Sequence, residues 1–147
     1  MTIDRGLELL APEIDRLGIK VTREYQLNGQ PLMVDQDLLY QAFLNILLNA
    51  IQAMPQGGHL TVSIMPGPHG QGGAIRFQDD GEGIEPEALN KILNPFFTTK
   101  EKGSGLGLPI VKSIVQAHQG SLEISSAPGT GTTVTITIPA LALPKVN

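Results

Sequence analysis

Two asparagines one helical turn apart, Asn45 and Asn49, interrupt the otherwise apolar run DLLYQAFLNILLNAIQAM, with Gln41 one turn earlier. At i, i+4 and i+8 these amides share one face of a helix, and Gln52 lies beside Asn49. A buried amide without a partner costs roughly 1–3 kcal/mol. The stripe is therefore either a solvent-touching edge whose amides bond nearby loops, or a face with a ligand. In the second case it offers carbonyl oxygen to a hard cation and N–H to phosphate oxygens. Mg2+ takes oxygen ligands and keeps several waters, so one asparagine plus a triphosphate is a sufficient partner set.

Asp79 stands where an alternating apolar segment runs into Asp79-Asp80-Gly81-Glu82-Gly83. It is either a carboxylate that caps the next segment or a buried acceptor for a ligand amine. The exocyclic amine of adenine is the obvious donor. Guanine has a carbonyl oxygen at that ring position and would leave the aspartate facing another acceptor. The alternating Asp/Asn ligands of a calcium loop are absent here.

A second glycine run, Gly103-Ser104-Gly105-Leu106-Gly107-Leu108, leads into Pro109, a residue suited to a first helical turn. Freed backbone N–H groups at a helix start make an anion site. No GK[ST] follows, so this is not a P-loop, and no strand precedes it as a Rossmann turn requires. Phe96-Phe97-Thr98-Thr99-Lys100 is either a hydrophobic loop anchor or a lid that brings Lys100 to a phosphate. Gly129-Thr130-Gly131-Thr132 reads by itself as a hairpin turn. His59, His69 and His118 are scattered and read as structural or solvent-exposed.

The elements that must position these groups follow from periodicity. Ile3, Leu7, Leu10, Ile14 and Leu17 predict a helix over 2–17, bent or divided at Pro12 and ended by Gly18. Residues 19–26 alternate as a strand, Asn28-Gly29 predicts a hairpin turn, and Leu32–Val34 is a candidate returning strand. A helix is expected over 36–54, stopped by Pro55 and Gly57-Gly58. Strands over 59–65 and 74–78 form an antiparallel hairpin around a Pro/Gly-rich loop. A short helix is expected over 85–93, a longer one over 106–118, then strands over 121–126 and 133–138. One domain over 1–139 and a frayed tail over 140–147 complete the reading.

Composition narrows the classes. The 147 residues suffice for one domain with a proper core, and 41% hydrophobic with 16% charged residues fits a globular chain. There are no cysteines, which excludes disulfides and thiolate metal sites. No apolar run approaches the roughly 20 residues that span a bilayer, and the acidic, amphipathic start is not a signal peptide. The expected compartment is therefore the cytoplasm. A net charge of −4 argues against a broad nucleic-acid surface.

Taken together, these residues resemble the catalytic ATP-binding domain of bacterial sensor histidine kinases, in the GHKL (Bergerat-type) ATPase superfamily. The resemblance runs over nearly the whole chain in the family's order: Asn45–Ala50, Asp79–Ile84, Pro95–Lys100, Gly103–Leu108 and Gly129–Thr132. The form of PFFTTK with GLGL looks most like the nitrogen-regulation and metal-responsive branch. The resemblance implies an α+β fold, a two-layer sandwich whose mixed sheet of about five strands is covered by three helices. It implies ATP or ADP and Mg2+ as ligands. Asn49 would bind the metal and Asn45 would support metal or phosphate. Asp79 would take the adenine amine, helped by a water on Thr132. Gly81 and Gly83 would let the base approach, with Ile84 on its face. Gly103, Ser104, Gly105, Leu106, Gly107 and Leu108 would wrap the phosphates through backbone amides, and Lys100 would add a contact. Gln52 departs from the basic residue or histidine often found three after the metal asparagine, so its phosphate contact is in question.

Hydrolytic members of the superfamily, and anti-sigma serine kinases, carry glutamate four residues before the metal asparagine. Here that position is Asn45, which cannot act as a base at neutral pH, and the interval from Gly83 to Gly103 is too short for the longer hydrolytic lids. A nucleotide-binding regulator without transfer activity is the remaining alternative. The phospho-accepting histidine helix of a sensor kinase is missing, so a fragment or stand-alone catalytic module is expected. Its partners would be the kinase's dimerisation domain and a response regulator. The isolated domain would be a monomer, without nucleic acid or membrane insertion, although the parent kinase could be membrane-anchored.

Overall fold

The apolar stripe of the first helix outweighs its proline. In the computed structural model, which describes residues 2–26, 34–67, 72–89, 91 and 107–139, helix α1 runs unbroken over Thr2–Leu17. Pro12 therefore does not divide it. An interior proline costs about 3 kcal/mol, but Ile3, Leu7 and Ile14 are all buried, at roughly 1.5–3 kcal/mol each. Pro12 itself lies on the exposed side.

Strand β1 (Ile19–Tyr25) follows directly. Its partner is β2 (Gly58–Pro66), paired in parallel from Ile19 opposite Gly58 to Tyr25 opposite Ile64. The expected return strand at Leu32–Val34 is not seen at Val34, which is irregular and packs against the core before helix α2. Leu32 and the Asn28-Gly29 turn lie outside the described residues. Helix α2 supplies the crossover that parallel strands need.

Helix α2 (Gln36–Gln52) begins at an N-cap, Asp35, whose carboxylate accepts the Leu38 N–H at 3.0 Å. Leu39, Ala42, Phe43, Ile46, Leu47, Ala50 and Ile51 are its buried face. Strand β3 (Gly73–Asp79) pairs antiparallel with β2, as expected. Helix α3 covers Pro86–Leu89 with Pro86 in its first turn; Asn90, Ile92 and Leu93 lie outside the described residues. Helix α4 spans Gly107–Ala117, and strands β4 (Ser121–Ala127) and β5 (Gly131–Ile138) form an antiparallel pair.

The sheet has five strands in the order β1-β2-β3-β5-β4, parallel only at β1–β2. Period-2 alternation sends Leu60, Val62, Ile75, Phe77, Val134 and Ile136 to one face. There they form a single core with the buried residues of α1, α2 and α4, with the Phe43 and Phe77 rings 5.6 Å apart. This is the expected α+β two-layer arrangement. The same alternation carries Asp79 to the core face at the end of β3.

Candidate functional site

Asp79 is the one buried charged residue among the described residues, 8% exposed. Two backbone N–H groups reach its carboxylate. Gly81 N–H donates to Asp79 Oδ1 at 2.9 Å, and Thr132 N–H reaches the same oxygen at 3.3 Å. Register puts Asp79 directly opposite Thr132 on β5 and opposite Leu60 on β2. A strand end thus delivers a carboxylate whose position is held from both sides.

The glycines around it answer mainly to neighbouring backbone. A side chain on Gly81 would run into the Ala53 carbonyl, and one on Gly83 into the Ala127 carbonyl. Gly83 also has φ +76°, and Gly131, whose added Cβ would meet the Asp79 carbonyl, has φ +96°. These left-handed conformations favour glycine. Close chain packing by itself therefore requires glycine at Gly81, Gly83 and Gly131.

Two turns are knitted together here. Glu82 N–H donates to the Ala53 carbonyl at 3.0 Å, and Gly129 N–H donates to the Glu82 carbonyl at 2.8 Å. Ile84, half-buried, donates its N–H to Ser126 Oγ at 2.9 Å. Neither Ala53 nor Ser126 was singled out from sequence. Ser126 had a readable signal: strand parity places it on the core face, paired with Thr132.

The amide stripe of α2 meets the second glycine run. Gly107, the first residue of α4, stands so close that a Cβ there would lie 3.6 Å from Asn49 Nδ2, 3.7 Å from Asn45 Oδ1 and 3.9 Å from Asn49 Oδ1. Asn45 Nδ2 donates back to the Gln41 carbonyl at 3.0 Å, so part of the stripe bonds its own helix. Gln52 is exposed at the last position of α2. Leu108 is buried in the core, so only its backbone is left to face a ligand at the helix start. Lys100, Gly103, Ser104, Gly105, Leu106 and the Phe96–Thr99 segment lie outside the described residues.

Among the described residues, no group of three or more His, Cys, Asp or Glu side chains could hold a metal ion. A hard cation would rest on amide oxygen, water and the ligand's own oxygens, which suits Mg2+. Asp80 points away to β2, where its carboxylate accepts the His59 N–H at 2.8 Å. That bond, with the nearby His59 ring, holds its pKa below the ordinary aspartate value. His59 is exposed, as expected, and His118 is structural: Nε2 accepts the Asp35 N–H while Nδ1 lies 2.9 Å from the Ile114 carbonyl.

A family profile described as histidine kinase-, DNA gyrase B- and HSP90-like ATPase matches residues 34–142. The chain belongs to this family. Among its curated relatives, sporulation kinase D of Bacillus subtilis (strain 168) is 41% identical over 138 residues, covering 92% of this chain and 27% of that protein. Sensor histidine kinase ZraS of Escherichia coli (strain K12) is 36% identical over 137 residues, covering 93% of this chain and 29% of that protein. This ATPase-family chain therefore spans under a third of the length of these relatives. The catalytic domain of histidine kinase ThkA, in a nucleotide-free form, superimposes with a TM-score of 0.83 at 26% identity, covering 95% of this chain and 90% of that one. The fold is thus that of a histidine-kinase catalytic domain.

Proposed function

We propose that this domain binds Mg2+–ATP and presents its γ-phosphoryl group to a histidine on a separate dimerisation domain, in two-component signal transduction. The observation that carries the reading is the meeting of the α4 start, at Gly107, with the amides of Asn45 and Asn49. A helix N-terminus offers N–H groups and the positive end of its dipole to phosphate. Asn49 Oδ1 is the proposed metal ligand beside it. Mg2+, when bound, would neutralise charge on the phosphate oxygens.

Asp79 takes the adenine amine in this reading, with Thr132 beside it and Ile84 on the face of the base. The chain's part is positioning and charge stabilisation. Asn45 supplies no proton acceptor for an attacking water, so hydrolysis by the isolated domain is negligible. The attacking histidine comes from the dimerisation domain, and a response regulator is the downstream acceptor. We place the domain in the cytoplasm as a monomer that binds no nucleic acid. No helix among the described residues is long and apolar enough to cross a membrane.

Calorimetry with ATP and ADP in Mg2+, paired with a phosphate-release assay, tests this. Binding heat with little phosphate release is expected. No heat with either nucleotide would sink the reading, and sustained release would favour a hydrolytic ATPase.

A further inference from the structure

The glycine turn after β3 and the turn between β4 and β5 meet at one hydroxyl. Ser126 Oγ lies 2.9 Å from the Ile84 nitrogen, 2.9 Å from the Gly131 carbonyl oxygen and 2.8 Å from Thr132 Oγ1. A serine hydroxyl has one proton and two acceptor lone pairs. A backbone N–H only donates, and a carbonyl only accepts. The Ser126 proton therefore goes to Gly131, and one lone pair takes the Ile84 N–H. Ser126 then meets Thr132 only as an acceptor, so the Thr132 hydroxyl must donate its proton to Ser126. What Thr132 Oγ1 retains is acceptor capacity.

This polarity matters because of where Thr132 sits. Leu60, Asp79, Thr132 and Ser126 form one row across β2, β3, β5 and β4. Strand parity puts the row on the core face. The two polar groups beside a ligand in this row, the Asp79 carboxylate and the Thr132 hydroxyl oxygen, are thus both acceptors.

We propose that Ser126 is a positioning residue that fixes the Thr132 hydroxyl as an acceptor and so makes the pocket select a purine with an amine, not a carbonyl, at position 6. The inference rests on the reading of Asp79 as the base-binding carboxylate. An amino group has two protons and can satisfy both acceptors, directly or through a water. A 6-oxo purine brings a carbonyl oxygen against them. Without the Ser126 hydroxyl, the Thr132 proton is free to turn and donate to that carbonyl.

The test compares ATP with inosine triphosphate, its 6-oxo counterpart, by calorimetry in Mg2+ on the whole chain. The wild type should prefer ATP. Ser126→Ala should reduce the ATP-to-ITP affinity ratio on the order of fivefold, the scale of one neutral hydrogen bond. Ser126→Thr, which keeps the hydroxyl, should hold the ratio near wild type. If Ser126→Ala weakens both nucleotides equally, Ser126 only braces the turn and the proposal is overturned. Should Ser126→Ala fail to melt cooperatively, Thr132→Val reads the same acceptor: its ratio must fall, and an unchanged ratio overturns the proposal. A wild type that binds both nucleotides equally is a separate failure, because it removes the Asp79 reading before any substitution at Ser126.

Discussion

The backbone N–H of Asp35 donates to Nε2 of His118 at 2.9 Å, fastening the start of α2 to the end of α4. The other ring nitrogen, Nδ1, donates to the Ile114 carbonyl. One imidazole thus ties together the same two helices that also meet at Asn45, Asn49 and Gly107. His118→Ala deletes both bonds, each worth about 0.5–1.5 kcal/mol. A destabilisation of about 1–3 kcal/mol is expected in urea unfolding, since an unmet donor adds to the loss. A midpoint unchanged from wild type would show that the link carries no stability.

Asp79→Asn keeps an oxygen for Gly81 N–H and Thr132 N–H but removes the charge. Its amide also brings N–H groups toward a ligand amine. The expected result is a folded chain whose affinity for adenine nucleotides drops at least about tenfold, the scale of a hydrogen bond to a charged group. Titration calorimetry reads the affinity and circular dichroism the fold. Equal affinity in the variant contradicts the assigned role.

Asn49→Ala removes the proposed metal ligand at an only half-buried position of α2. Alanine is the best helix former, so the helix itself should not suffer. Nucleotide affinity measured with and without Mg2+ should differ less in the variant than in wild type. An unaltered metal response would reject Asn49 as the ligand.

Two groups give opposite pH signatures. Partial burial, and then the bond from its hydroxyl to Asp4 Oδ1 at 3.0 Å, push the Tyr25 pKa up from 10.0 to about 12. The folded state favours the neutral phenol. Its stabilisation is full below pH 10 and is lost as pH rises toward about 12. Asp80 behaves conversely: its pKa is depressed below 3.8, so its contribution holds above that pH and fades as pH falls through the folded value. The chain has two tyrosines, so Tyr40→Phe leaves Tyr25 alone. Its phenolate absorbance should then rise near pH 12, with the fold followed by circular dichroism. A midpoint near pH 10 would contradict the half-buried, carboxylate-bonded geometry.

What the sequence determined by itself was whatever is local in origin. Apolar period gave α1, α2 and α4 to within a few residues, because a helix must turn one stripe inward. Alternation gave all five described strands, and the glycine and proline stops marked their ends. The order of Asn45–Ala50, Asp79–Ile84, Pro95–Lys100, Gly103–Leu108 and Gly129–Thr132 pointed to the family, since residue types at fixed intervals carry that signal without coordinates.

Tertiary structure alone decided which segments meet. Pro12 was misread as a possible break because the weight of the buried face against α2 is not a local quantity. The parallel partner of β1 is β2, which lies beyond the whole of α2 in sequence. Gly81 and Gly83 stand close against the carbonyls of Ala53 and Ala127, which are distant in sequence. Ser126 and the His118–Asp35 link escaped notice for the same reason. A hydrogen bond between residues 83 positions apart leaves no period in the chain. It exists only once the core has brought the two helices side by side.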